Sequence, residues 1–249
     1  MDNKQTVTLL RQSKDNLVKA FEDAGVAFSG TAKAADFGGL ITGLSGLRDV
    51  SIAVIRKSDG MKLYLNKDEY GSISTKVAVR GIRLRARGMS FIVALTDLGL
   101  NKTYALQDKY VSGIRTAKTR AAAFRDTDGL ANTEEIRQAV EDGTITSDAT
   151  AALDAYTAFD TSDYSEGDTA TWYLPAAAQM AAIIRYADAI TDMATAVSTN
   201  AASYAPSGLY WTSTTDTQYP YCITSYGAAA ANRGRAVTTA LKIRPICNE

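Results

Sequence analysis

The sequence predicts an α+β fold, and three observations carry that reading. Two β-rich runs flank Ser58-Asp59-Gly60 within "DVSIAVIRKSDGMKLYLN" (49–66), and Asp-Gly between such runs is a strong hairpin signal. Val77 to Leu84 alternates, and Phe91 to Leu95 is a short continuous apolar run, so two more strands follow. Helical periodicity completes the mixture. Val7, Leu10, Leu17, Val18 and Phe21 recur at helical spacing before Gly25, and "WYLPAAAQMAAIIRYADAITDMATAV" (172–197) continues as a long helix with Pro175 at its first turn.

The remaining elements fall between these. "AADFGGLITGL" (34–44) is apolar-periodic but heavy in Gly, so it gains little from helix propensity and needs a partner surface. Arg80, Arg83, Arg85 and Arg87 read as the exposed edge and turn of a hairpin. No aromatic residues interleave with them as stacking on nucleic-acid bases would require. Residues 114–125 are rich in Arg and Ala. In "DTDGLANTEEIRQAVEDG" (126–143), Asn132 is the expected N-cap, with Glu135 closing a capping box. Asp126 and Asp128 lack the acidic spacing of a calcium loop and read as a turn entering that helix. Ser147 caps a further helix, and "TSDYSEGDTA" (161–170) is a polar loop. Trp211, followed by Thr212, Ser213 and Thr214, reads as a buried strand start whose hydroxyls bond to neighbouring backbone.

Bulk composition removes several function classes. The chain has 249 residues, with 27 basic and 27 acidic side chains. That balance is not an electrostatic footprint for nucleic acid. There is no His, so the usual base of a catalytic triad and the commonest zinc ligand are missing. Without a Gly-x-Ser-x-Gly elbow, no Ser or Thr stands out as a nucleophile. Cys222 and Cys247 cannot make a disulfide framework; they read as two free or buried thiols, with one bridge between them as the alternative. The first residues are amphipathic and charged, without the apolar stretch of an export signal, and no segment approaches a membrane span. Synthesis and folding in a cytoplasm are the expectation.

Five motifs stand in order: "SFIVALTDLG" (90–99), "DTDGLANTEEI" (126–136), "WYLPAAAQM" (172–180), "YWTSTTD" (210–216) and "KIRPI" (242–246). In that order they resemble a large family of C-type-lectin-fold proteins that abounds in Bacteroides-type gut bacteria and their phages. The resemblance covers roughly residues 72–249. It implies a small twisted antiparallel sheet and two main helices supporting a long, irregular C-terminal segment. Phe91, Val93, Leu95, Trp172, Leu174, Trp211, Ile243 and Ile246 are then expected in the interior. The calcium and sugar motifs of animal lectins are absent from the chain, so no metal and no cofactor are expected.

Many proteins that look like this are the variable proteins of diversity-generating retroelements, in which adenines are randomised near the end of the gene. The run "YPYCITSYGAAAANRGRAVTTAL" (219–241) fits that origin. It lacks Lys, Glu, Gln, Met and Trp. Those are the residues that an Asn codon randomised at its first two bases does not encode. The resemblance thus implies a variable segment at about 216–241, whose ligand contacts are Tyr219, Tyr221, Tyr226, Asn232, Arg233, Arg235, Thr238 and Thr239. Tyr and Arg are favoured at binding hot spots.

"TAKAADFGGLITGL" (31–44) is similar to a short segment near the start of phage tail and fibre proteins. The expected organisation is therefore an attachment and oligomerisation region over residues 1–70, helices plus hairpin, and a ligand-binding domain over 71–249. The expected role is that of a phage tail-fibre or tip protein, not an enzyme. It would reside in the virion, bind a host-surface protein or glycan, and join other tail proteins as a homotrimer. No nucleic acid and no membrane insertion are expected. The competing readings are a bacterial or prophage-encoded ligand-binding protein, an enzyme related to the formylglycine-generating enzymes, and a passive virion decoration protein. The two cysteines do not have the arrangement of the enzyme reading.

Overall fold

The computed structural model describes residues 49–98, 102–104, 111, 113–114, 116–156, 170–197, 207–216, 219–224, 230–232 (backbone alone) and 240–249. The chain divides into two units, Met1–Leu47 and Arg48–Glu249, and every element described here belongs to the second. The helices expected over 5–24 and 34–44 lie outside the described residues.

The described residues form an α+β structure with antiparallel sheets and six α-helices. Strands β1 (Val50–Arg56) and β2 (Lys62–Leu65) form the hairpin expected from Asp59-Gly60, with Ile55 opposite Lys62. Helix α1 (Lys67–Ile73) follows at once. Asn66 accepts from the Glu69 N–H while Glu69 reaches back to the Asn66 N–H, a complete capping box. Strands β3 (Val77–Ala86) and β4 (Met89–Val93) meet at a two-residue turn. Arg87 and Gly88 both have positive φ there, +53° and +78°, the backbone that a tight twisted hairpin requires. With β10 (Ile246–Cys247), these strands make one sheet in the order β10-β4-β3-β1-β2.

That order corrects two expectations. The β1–β2 hairpin is part of the main unit, not of an N-terminal attachment region, because β1 pairs along β3 from Val50–Leu84 to Arg56–Val77, with one register shift between Ala53 and Val54. And β3 is an interior strand, so its arginines are not an exposed edge. Arg80 and Arg83 are buried, and only Arg87 in the turn is exposed. Arg83 lies over the Tyr64 ring at 4.2 Å and pairs with Glu249, which also accepts from Ser90. Burial pushes the Glu249 carboxyl up. The Arg83 and Ser90 hydrogen bonds and the Arg83 charge outweigh it and hold the group below its ordinary value.

Further along the chain lie β5 (Lys102–Thr103), α2 (Arg120–Ala123), α3 (Gly129–Glu141) and α4 (Asp148–Asp154), the last capped by Ser147 as expected. The long helix read from the sequence is two helices, α5 (Ala177–Arg185) and α6 (Ala187–Val197), interrupted at Tyr186. Strands β6 (Leu209–Thr215), β7 (Pro220–Thr224) and β8 (Ala230–Asn232) form a second sheet in that order. Finally, β9 (Ala240–Leu241) pairs with β5.

Two apolar clusters fill the unit, and successive strand residues are shared between them. Phe91 and Val93 enter one cluster and Ile92 the other; Tyr221 and Ile223 enter the first and Cys222 the second. A strand packed on both faces reads as a continuous apolar run, which is why these segments do not alternate in burial. Of the expected interior residues, Phe91, Val93, Trp172, Leu174, Trp211, Ile243 and Ile246 are buried, and Leu95 is partly so. Among the described residues, no helix is long and apolar enough to cross a membrane.

Candidate binding surface at the C-terminal strands

The scaffold of the C-terminal run begins at Asp126. Its backbone sits just before α3, and its carboxylate is almost fully buried. Oδ1 accepts from the Asp128 N–H at 3.0 Å; Oδ2 accepts from Asn132 Nδ2 at 3.0 Å and from Thr214 Oγ1 at 2.7 Å. Thr214 Oγ1 in turn accepts from the Ala177 N–H at the start of α5, at 2.8 Å. Asn132 also reaches Ser213 Oγ at 3.4 Å. One carboxylate therefore ties α3, α5 and β6 together. Asn132 is consequently not the N-cap of α3. The helix starts three residues earlier, at Gly129, and Asn132 spends its amide inside the network.

Strand β6 is held along its whole length. Trp211 donates Nε1–H to the Lys102 carbonyl at 2.9 Å and meets the Tyr104 ring edge-on, with centroids 5.7 Å apart. Thr212 donates to the Tyr221 carbonyl at 2.8 Å, and the Ser213 N–H to the Pro175 carbonyl at 2.9 Å. At its start, the Tyr210 hydroxyl donates to Asp97 Oδ2 at 3.0 Å. Asp97 also accepts from Arg244 Nε at 2.7 Å, and Lys242 Nζ stands 3.6 Å from it. The fully buried Arg244 donates Nη1 to the Ala94 and Leu95 carbonyls as well. "YWTST" and "KIRPI" thus hold the two ends of the run by buried polar pairs as well as by packing.

Between those ends, the expected contact residues separate. Tyr219 closes the β6–β7 turn: the Asp216 N–H donates to its carbonyl at 2.8 Å, and its side chain is half-buried. Tyr221 is withdrawn from the surface. It is fully buried, and its hydroxyl donates to the Ala117 carbonyl at 2.9 Å, so it has no atom to offer a ligand. Its position on β7, the middle strand of the small sheet, accounts for the difference. Asn232 pairs through its backbone with Cys222. Tyr226, Arg233, Arg235, Thr238 and Thr239 lie outside the described residues. Cys222 and Cys247 are buried, and no disulfide joins them.

A scan against protein-family models finds no match, and a search of curated proteins finds none either. Among solved structures, the chain is similar to a fimbrial protein from Bacteroides ovatus ATCC 8483, at 13% identity and a TM-score of 0.47. The similarity covers 80% of this chain and 43% of the other, so this chain spans less than half the length of that protein. A likeness this distant assigns neither fold family nor function.

Two parts of the site were missed in the sequence. Asp97 and Arg244 face each other across 147 residues of chain, and Asp126 and Thr214 across 88. The signal for the first was present: an Arg set between Ile243 and Pro245 needs a buried acid. The second carried no local signature.

Proposed function

We propose that this chain is a binding module of C-type-lectin-like fold, a tail-fibre or tip protein of a phage virion that attaches to a host-surface protein or glycan. Its diversified residues would lie in the β6–β7 turn, at the end of β8, and in the stretches between β7 and β8 and between β8 and β9. The observation that carries this reading is the division of labour within 219–241. Pro220–Thr224 is buried strand, while the remainder keeps the same restricted alphabet between fixed partners. For Pro220–Thr224 itself, burial favours packing over contact, so Tyr221 leaves the proposed contact set. Tyr219, Tyr226, Asn232, Arg233, Arg235, Thr238 and Thr239 stay in it. Residues 1–47 would join other tail proteins and assemble the chain as a homotrimer.

The test has a genetic and a biochemical arm. The nucleotide sequence around the gene should hold a near-identical repeat of the 3′ segment differing only at adenines. Replacing Tyr219, Tyr226, Arg233 and Arg235 together with Ala should leave the melting temperature within a few degrees and abolish attachment to host cells. A variant that still attaches, or a gene end invariant among sister clones, would overturn the reading.

A further inference from the structure

A cavity of about 710 Å³ opens between the β3–β4 turn, the chain following α2, and one side of α5. None of the described residues that line it belongs to the 219–241 run. Its size falls within the ~300–1,000 Å³ typical of small-molecule sites. Met89, Phe124, Tyr186 and the alanines of α5 give it an apolar lining. Arg87, Arg125 and Arg185 come to it from three separate segments, and all three are exposed. Among the described residues, no Asp or Glu lines it. The nearest acid in sequence to Arg125 is Asp126, whose carboxylate is taken by Asn132 and Thr214.

Three like charges around one apolar hollow repel each other, and an anion placed among them relieves that repulsion. Guanidinium forks match carboxylates in geometry and donate paired hydrogen bonds to them. A small inorganic anion would use the charges and leave the apolar lining wet; a neutral apolar ligand would do the reverse. Arg87 adds a further sign. It occupies the first position of a tight turn at φ +53°, where Asn or Gly fits at lower conformational cost. Strained residues of this kind cluster at functional sites.

We propose that this cavity binds an anionic amphiphile, a long-chain carboxylate whose head lies on Arg87, Arg125 and Arg185 and whose apolar body lies against Met89, Phe124 and α5. The experiment is calorimetric titration of the full chain with dodecanoate below its micelle concentration, with 1-dodecanol and acetate as partial ligands. Dodecanoate should bind at one site per chain. Dodecanol and acetate should each bind about tenfold more weakly or worse, the size expected for losing a charge-assisted contact or the tail. The variant R87N/R125Q/R185Q should lose about tenfold in dodecanoate affinity, and Ala181→Phe, which fills the cavity, should lose binding altogether. R125Q/R185Q alone leaves the turn untouched and provides the same readout if the triple variant fails to fold. Absence of saturable dodecanoate binding, equal affinity for dodecanol, or full binding by the arginine or Ala181→Phe variants would overturn the proposal.

Discussion

Thr214 donates its hydroxyl to the Asp126 carboxylate at 2.7 Å and accepts the Ala177 N–H at 2.8 Å, with every partner buried. Its loss therefore strands both a charged acceptor and a helix-terminal donor. Thr214→Val should destabilise the protein by about 2–4 kcal/mol, because buried groups left unpaired cost their full desolvation. Thr214→Ser, which keeps the hydroxyl, should recover most of that. Urea midpoints compare the two; a Val variant as stable as the parent would mean that the network is not structural.

Tyr221 and Tyr219 should differ in how much their loss costs. Tyr221→Phe removes the bond to the Ala117 carbonyl and should cost about 1–2 kcal/mol. Tyr221→Ala should cost about 3–5 kcal/mol, as for other large buried aromatics. Tyr219→Ala, at a half-buried turn, should cost less than about 1 kcal/mol. Thermal melts of the three variants check the order.

Truncation has a sharp boundary. A fragment beginning at Arg48 should fold, since it retains β1 against β3. A fragment beginning at residue 71 should not. It loses Ile52 and Val54 from the core and uncovers the full edge of β3. Circular dichroism and proteolysis of the two fragments separate these outcomes.

Stability should fall between about pH 10 and 12. Burial pushes the Tyr173 and Tyr210 phenols up to about 12, with Asp97 adding to Tyr210 while Arg244 pulls it back. An unfolded tyrosine ionises near ~10. With the folded value raised, the stabilisation is complete below the unfolded pKa and is lost as pH climbs towards the folded one. The Tyr173 hydroxyl also stops donating to Asn248, and that of Tyr210 to Asp97. Alkaline denaturation followed by the phenolate absorption band should show this loss, and Tyr173→Phe with Tyr210→Phe should flatten it.

Local chemistry made part of the structure legible. Asp59-Gly60 announced its hairpin, Ser147 its helix, and Trp172 and Trp211 their places in the core, because each signal acts within a few residues or through size alone. What stayed hidden depended on distant partners. Arg83 looked solvent-facing until Glu249, 166 residues away, supplied its counter-charge. Asn132 matched a capping box while its amide answered to Asp126. Tyr221 looked like a contact residue because composition says nothing of strand order, and β7 is the middle strand.

The pairing of Thr224 with Ala230 has a practical meaning. Chain that leaves the small sheet at one position re-enters it directly opposite, so the strands set the span and the connection does not. Loop-closure entropy rises only with the logarithm of length, about 0.6 kcal/mol per doubling. A foreign peptide spliced in place of residues 225–229 should thus tax folding little while both its ends stay anchored, which makes the molecule a frame for library display.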